Sequence, residues 1–290
     1  GRQLNLHCQK VAVQHGMKVL AGDTDSIMTV LDPPIRDPRL CKKVGESFAK
    51  TLTAEFHKPL RVEYEKTYAI VILLKRKMYS GISLVTIMKN NVVEVEKCEF
   101  KKGWENDKFQ LLKVTHKNKG KTEMVHLLFP SDLNHEDWVD DCIAGIPVSA
   151  GGEKDEKKIT NKGIIIARRD NCVWVRNAYM KILTNILFRR PIQESLNVIN
   201  ESILNMMSRS VHYRELLINK EIGSEYKPGS TYPMCIFAQE LKKRGVVIEG
   251  GERIDYLIVR IKETKEKKVL QGMKMRLLND FLENCHQEPV

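Results

Sequence analysis

The sequence predicts an α+β chain, with antiparallel strands and helices in its first part and mainly helices in its second. Three observations carry that expectation. Two short apolar runs, 17–21 and 27–30, flank a polar, doubly acidic stretch and read as a hairpin. Leu40, Val44, Phe48, Leu52 and Phe56 keep a four-residue beat that fits one helix. After residue 160, helical stretches cover more residues than extended ones.

Taken in order, residues 2–14 place Leu4, Leu6, Cys8, Val11 and Ala12 at helical spacing, with Gly16 as a C-terminal cap. The hairpin at 17–30 follows, and Pro33, Pro34 and Pro38 break the chain. Residues 62–74 read as a strand closed by positive charge at Lys75-Arg76-Lys77. From 82 to 160 the pattern weakens into strands with solvated loops, at Asn90-Asn91 and 117–121. Gly151-Gly152 and the charged residues 153–158 read as a flexible linker. Residues 162–167 read as a short strand. Asp170 is expected to cap a helix reaching Phe188, and Pro191 to start another reaching Met207. Residues 216–222 are extended, 233–244 form a third helix ended by Gly245, and 255–261 form a strand.

Composition narrows the function classes. Lys plus Arg number 48 against 37 Asp plus Glu, a net charge of +11 that favours a polyanion such as nucleic acid. The longest apolar run, 69–74, is far too short to span a bilayer as a helix. Seven dispersed cysteines with no Cys-x-x-Cys pair argue against a zinc ribbon or iron–sulfur site, and for free thiols in a reducing compartment. No metal-ligand spacing occurs among the eight histidines. No signal peptide is visible, and because the chain opens on Gly1 directly into helical periodicity, its true N-terminus is expected upstream.

The chemistry centres on Gly22-Asp23-Thr24-Asp25-Ser26. Carboxylates at i and i+2 in a tight turn can be presented together at a strand tip. Mg²⁺ takes oxygen ligands and keeps waters for substrate phosphates, and two-metal phosphoryl transfer needs rigid acidic ligands. An ordinary Asp-rich surface turn is the competing reading.

This turn, behind the Gly1-Arg2-Gln3 helix opening, resembles motif C of family B DNA polymerases, with Ala21 where the family usually has Tyr. Three further stretches match in order. Residues 61–66 leading into Lys75-Arg76-Lys77-Met78-Tyr79-Ser80-Gly81 resemble the Lys-Lys-Arg-Tyr block that grips primer–template, with Met78 where a basic residue is usual. Lys162-Gly163 and Arg168-Arg169-Asp170-Asn171-Cys172 resemble the start of the family's thumb, with three isoleucines at 164–166 in place of polar residues. Tyr232-Pro233 through Arg244-Gly245, with Gly251-Glu252-Arg253-Ile254, resemble a later thumb segment. Residues 82–160 exceed the usual connection, and 273–288 match the C-terminal thumb helix only loosely.

The resemblance implies a palm C-terminal part over 1–81, a lineage-specific insertion or extended connection over 82–160, and a mainly helical thumb over 161–290. It implies DNA-directed DNA polymerase activity with two Mg²⁺ ions, Mn²⁺ being able to substitute. Asp25 and Asp23 are the implied catalytic and metal residues, and Thr24 the nucleotide contact. Lys75, Arg76, Lys77, Tyr79, Lys162, Arg168 and Arg169 are the implied DNA contacts. Partners would be primer–template DNA, dNTP, the remainder of the polymerase chain and a processivity factor, with no membrane. The compartment would be the nucleus, a host's if the source is a large DNA virus, with cytoplasm left open.

The plain readings stay beside these. Residues 75–77 could be a solvated strand end, one of Arg168 and Arg169 could salt-bridge the cap, and Trp174 and Tyr179 read as core. The family's motif A, motif B and exonuclease motifs are absent from these residues, so they are expected to be inactive alone. The alternatives are a non-catalytic basic DNA-binding module and, ranked last, an unrelated Mg²⁺ phosphohydrolase, for which no Gly-rich loop is found.

Overall fold

The computed structural model describes residues 1–35, 37–88, 92–98, 109–132, 142–148, 153–227, 229–261 and 270–283. These fall into two compact units, 1–162 and 163–290, both mixing helices with antiparallel strands. Asn90-Asn91, Gly151-Gly152, His135, His286, Cys285 and the chain after Glu283 lie outside the described residues.

The first unit opens with α1 (Arg2–Gln14), turns at Gly16 (φ +73°), and forms the hairpin β1 (Met17–Gly22) and β2 (Ile27–Leu31). Next, α2 (Pro38–Ala54) starts where the Asp37 carboxylate accepts the Arg39 N–H and Pro38 occupies the first turn, where its missing donor costs nothing. Cys8, Val11 and Leu52 pack with Ile27, Phe48 and Phe56, so the two long helices clasp the back of the hairpin. That small core holds the acidic turn in place.

The strand expected over 62–74 begins only at Tyr68: β3 is Tyr68–Lys75. The Thr53 hydroxyl, which donates to the Ala49 carbonyl (2.8 Å), accepts the Val62 N–H (2.9 Å). The Val62 donor that a ladder would need is thereby taken. β3 pairs with β4 (Met78–Ser83), which also pairs with β10 (Ile159–Lys162) in a three-stranded sheet. Lys162 thereby faces Tyr79 across the ladder.

The weakly patterned middle is a five-stranded antiparallel sheet, ordered β5 (Val85–Met88), β9 (Cys142–Pro147), β8 (Lys121–Pro130), β7 (Phe109–Asn118), β6 (Val92–Cys98). Leu112, Val114, Leu127, Phe129 and Ile143 form its core. The expected loop at 117–121 is a tight hairpin turn, with Lys119 and Gly120 both at positive φ (+49° and +80°). The linker expected over 153–158 is instead an ordered turn, α3 (Glu153–Glu156). There Lys158 donates to the Val148 carbonyl (2.7 Å) and meets the fully buried Asp155 carboxylate (3.5 Å).

The second unit contains α4 (Val173–Leu187), α5 (Ile192–Met207), β11 (Ile218–Glu221), α6 (Pro233–Lys243), β12 (Arg253–Ile258), β13 (Met275–Leu277) and α7 (Leu278–Glu283). Met234, Phe237 and Leu241 of α6 pack on Ile254, Tyr256 and Met275 of the β11-β12-β13 sheet. Two expectations fail here. Residues 162–167 are not one strand: Gly163 takes φ +64°, Ile164 is buried, and 165–167 form a 3-10 turn. Nor does Asp170 cap α4, which starts at Val173 after Cys172. The Asn171 amide donates to the Ile165 carbonyl (3.3 Å), holding 168–171 as a loop ahead of the helix. Trp174 and Tyr179 are half-buried rather than core.

Candidate active-site turn and basic surface

The acidic turn is closed by the Asp23 N–H donating to the Ser26 carbonyl (2.8 Å). Asp23 folds its carboxylate back to accept the Thr24 N–H (2.7 Å). From α1, the Asn5 amide donates to the carbonyls of both Asp23 and Ser26, the latter at 3.0 Å. Gln9, one helical turn on, donates to the Asn5 carbonyl oxygen and fixes which way that amide faces. Gly22 lets the two side chains approach this closely: a Cβ there would lie 2.5 Å from Gln9 Nε2 and 3.0 Å from Asn5 Oδ1, so both amide tips would have to shift.

The two carboxylates differ sharply. Asp23 is mostly covered (17% exposed), with Lys162 Nζ at 2.7 Å on one oxygen and Lys77 Nζ at 3.0 Å on the other. The Lys162 ammonium first, then Lys77 and the Thr24 N–H, hold its carboxyl far below the ordinary carboxylate range. Reciprocally, the bond to Asp23 raises the Lys162 pKa against its desolvation. Asp25 is exposed and makes no hydrogen bond or ion pair among the described residues. Two oxygens of one aspartate are thus occupied by cations, while those of its neighbour stay open to solvent.

Lys77 reaches the turn because the β3–β4 hairpin carries it at its tip with φ +63°. Its ammonium also approaches the Thr24 hydroxyl (3.3 Å). Lys162 Nζ stands 5.9 Å from the centre of the Tyr79 ring, which meets Tyr68 edge-on at 6.0 Å. Lys75 and Arg76 are exposed and without ion pairs among the described residues. The structure therefore gathers Asp23, Thr24, Asp25, Lys77, Tyr79 and Lys162 into one neighbourhood, with Lys75 and Arg76 on the adjoining strand end and hairpin tip.

Arg168 and Arg169 belong to the second unit, where they line an open cleft of about 480 Å³ with Asp170, Lys220, Glu221 and Arg253. Arg253 is committed to Asn219 (2.6 and 2.9 Å), whereas Lys220 lies 5.4 Å from the centre of the Tyr232 ring. Asn5, Gln9 and Lys220 were not singled out by sequence. The Asn5/Gln9 spacing of four, on an otherwise partly apolar helix, is the one signal that could have flagged the first pair. Among the described residues no group of three or more His, Cys, Asp or Glu could hold a metal ion, and no helix is long and apolar enough to cross a membrane.

The antiparallel α+β fold thus presents a doubly acidic hairpin turn with two lysines on its first carboxylate. The pattern of DNA polymerase family B matches residues 2–126 and 144–283, and the chain belongs to that family. It is 23% identical over 246 residues to the DNA polymerase delta catalytic subunit of Candida albicans, covering 84% of this chain and 17% of that protein. A DNA polymerase of Pyramimonas orientalis virus is 22% identical, covering 98% of this chain and 19% of that protein. The chain thus spans under a fifth of the length of these relatives. The solved family B DNA polymerase of the archaeon Pyrobaculum calidifontis aligns over 96% of this chain and 25% of its own, at 15% identity and a TM-score of 0.39.

Proposed function

We propose that this chain supplies the acidic turn and the primer–template grip of a DNA-directed DNA polymerase that adds dNTPs to a primer 3′-OH by two-metal phosphoryl transfer. The contrast between the two carboxylates carries the reading. Asp25 is open to a cation, while Asp23 is already neutralised by Lys77 and Lys162. Asp25 is therefore the metal residue and Asp23 its support, holding two lysines over the turn. Carboxylate oxygens are the donors that Mg²⁺ or Mn²⁺ accepts, so the turn fits part of such a site. When bound, the metal pair neutralises charge on the transferring phosphoryl group. Thr24 is the residue that contacts the nucleotide in this reading. Lys75, Arg76, Lys77, Tyr79 and Lys162, with Arg168 and Arg169, contact the DNA, chiefly at phosphates. Domain roles follow: palm over 1–81, an insertion or extended connection over 82–160, and thumb over 161–290. The work is nuclear replication, with a processivity factor as a further partner.

Two carboxylates do not make a two-metal site. The 290 residues by themselves should bind primer–template in a salt-dependent way and extend no primer. Primer extension by the isolated chain tests this, and robust activity would overturn it. In the parent polymerase, Asp25→Asn should abolish extension while leaving primer–template binding intact. Near-normal extension by that variant would remove Asp25 from the metal role.

A further inference from the structure

The acidic turn is tied down by more than its own closure needs. The β1–β2 ladder already pairs Gly22 with Ile27, and the Asp23 N–H already donates to the Ser26 carbonyl (2.8 Å). The Asn5 carboxamide adds a tie from α1, its nitrogen donating to the carbonyls of Asp23 and Ser26 together. It therefore grips the backbone on both sides of Thr24 and Asp25. The Asp25 side chain makes no hydrogen bond or ion pair among the described residues, so the direction of its carboxylate is inherited from that backbone.

Gln9 decides which end of the Asn5 amide meets the turn. A carboxamide has one donor end and one acceptor end. Turned over, Asn5 would set its oxygen against two carbonyl oxygens. Gln9 Nε2 donates to Asn5 Oδ1 and so keeps the donor end toward the turn. The two side chains stand four residues apart on one face of α1. Of residues 1–10, only Asn5, Cys8 and Gln9 are not exposed. Cys8 and Val11 anchor the helix in the core that also holds Ile27 of β2 and Leu52 of α2. The amide pair is thus mounted on a packed element, as a site of fixed geometry requires.

We propose that Asn5 and Gln9 are positioning residues for the cation-binding carboxylate of Asp25, Gln9 fixing the amide and the amide fixing the turn. This rests on the reading of Asp25 as the metal residue. Groups that orient a ligand without touching the ion commonly change metal affinity about 10–100-fold when they are removed. The pair acts on metal affinity and leaves the DNA and nucleotide contacts as they are.

Gln9→Met keeps the length and helix preference of glutamine but removes the donor, and Gln9→Lys puts a donor back. In the isolated chain, the Asn5 side-chain NH2 should resist hydrogen exchange in the unmutated and Gln9→Lys proteins. It should exchange freely in Gln9→Met, with circular dichroism unchanged. In the parent polymerase, Gln9→Met should raise the Mg²⁺ concentration for half-maximal primer extension about tenfold or more. The KM for dNTP and the primer–template Kd should stay at their unmutated values, and Gln9→Lys should restore most of the lost affinity. A merely structural role would lower the amount of active enzyme without moving the Mg²⁺ requirement. An Asn5 amide equally protected in Gln9→Met, or an unmoved Mg²⁺ requirement, would overturn the proposal. Asp25→Asn run alongside separates the two readings. If it extends primers normally, the metal reading itself fails. If it abolishes extension while Gln9→Met keeps the normal Mg²⁺ requirement, only the positioning role fails.

Discussion

Asn5→Ala and Asn5→Asp together probe how the acidic turn is held. The parent amide donates two hydrogen bonds, to the carbonyls of Asp23 and Ser26. At about 0.5–1.5 kcal/mol each, their loss in Asn5→Ala should cost about 1–3 kcal/mol. In a unit of this size that is a melting shift of roughly 2–12 °C. Asn5→Asp keeps the shape but replaces the donor with a carboxylate oxygen, which faces two carbonyl oxygens and adds negative charge beside Asp23. It should be worse than Ala, although it is nearly isosteric. Denaturant unfolding gives the stabilities, and amide exchange at residues 23–26 reports the turn itself. An Asn5→Asp protein as stable as the parent, or more stable than Asn5→Ala, would refute the two-donor clamp.

Three other outcomes can be checked. Lys162→Met should move the Asp23 carboxyl back toward the ordinary range further than Lys77→Met does, as read by carbon-13 titration, because Lys162 is the larger cause of its depression. The sign for stability follows: a depressed folded-state value contributes fully above the unfolded carboxyl's ~3.9 and is lost as pH falls through the folded value. The stability gap between the parent and Asp23→Asn should therefore narrow below about pH 4. In the five-stranded sheet, Phe129→Ala should destabilise by about 3–5 kcal/mol, since Phe129 is fully buried in its core; a loss under about 1 kcal/mol on denaturant unfolding would contradict that packing.

Local signals were legible in the sequence where local physics decides. The hairpin around the acidic turn and α1 with Gly16 behind it are each fixed by residues within a few positions, whereas Pro38, which reads as a break, in fact opens α2 behind the Asp37 cap. Readings failed where a distant partner overrides propensity. Three isoleucines favour a strand, but Gly163 reverses the chain and Ile164 goes into the interior. Asp170 has the residue type of a cap, yet the loop held by Asn171 and Ile165 displaces the helix start to Val173. The five-stranded sheet was illegible because its order depends on pairings such as Leu127 with Pro147, which no local pattern encodes. Of the site, sequence named the ends of the Lys77–Asp23–Lys162 contact but not that they meet, since strand register alone brings Lys162 beside Tyr79.

Lys77 shows what selection for stability alone would do here. It occupies φ +63°, a conformation that glycine adopts freely and that costs a side-chain-bearing residue on the order of 1–2 kcal/mol. Lys77→Gly would relax the hairpin tip while taking an ammonium away from Asp23, two opposed effects on stability. Any variant hardened that way would have lost one of the two cations that single out Asp25 as the open carboxylate.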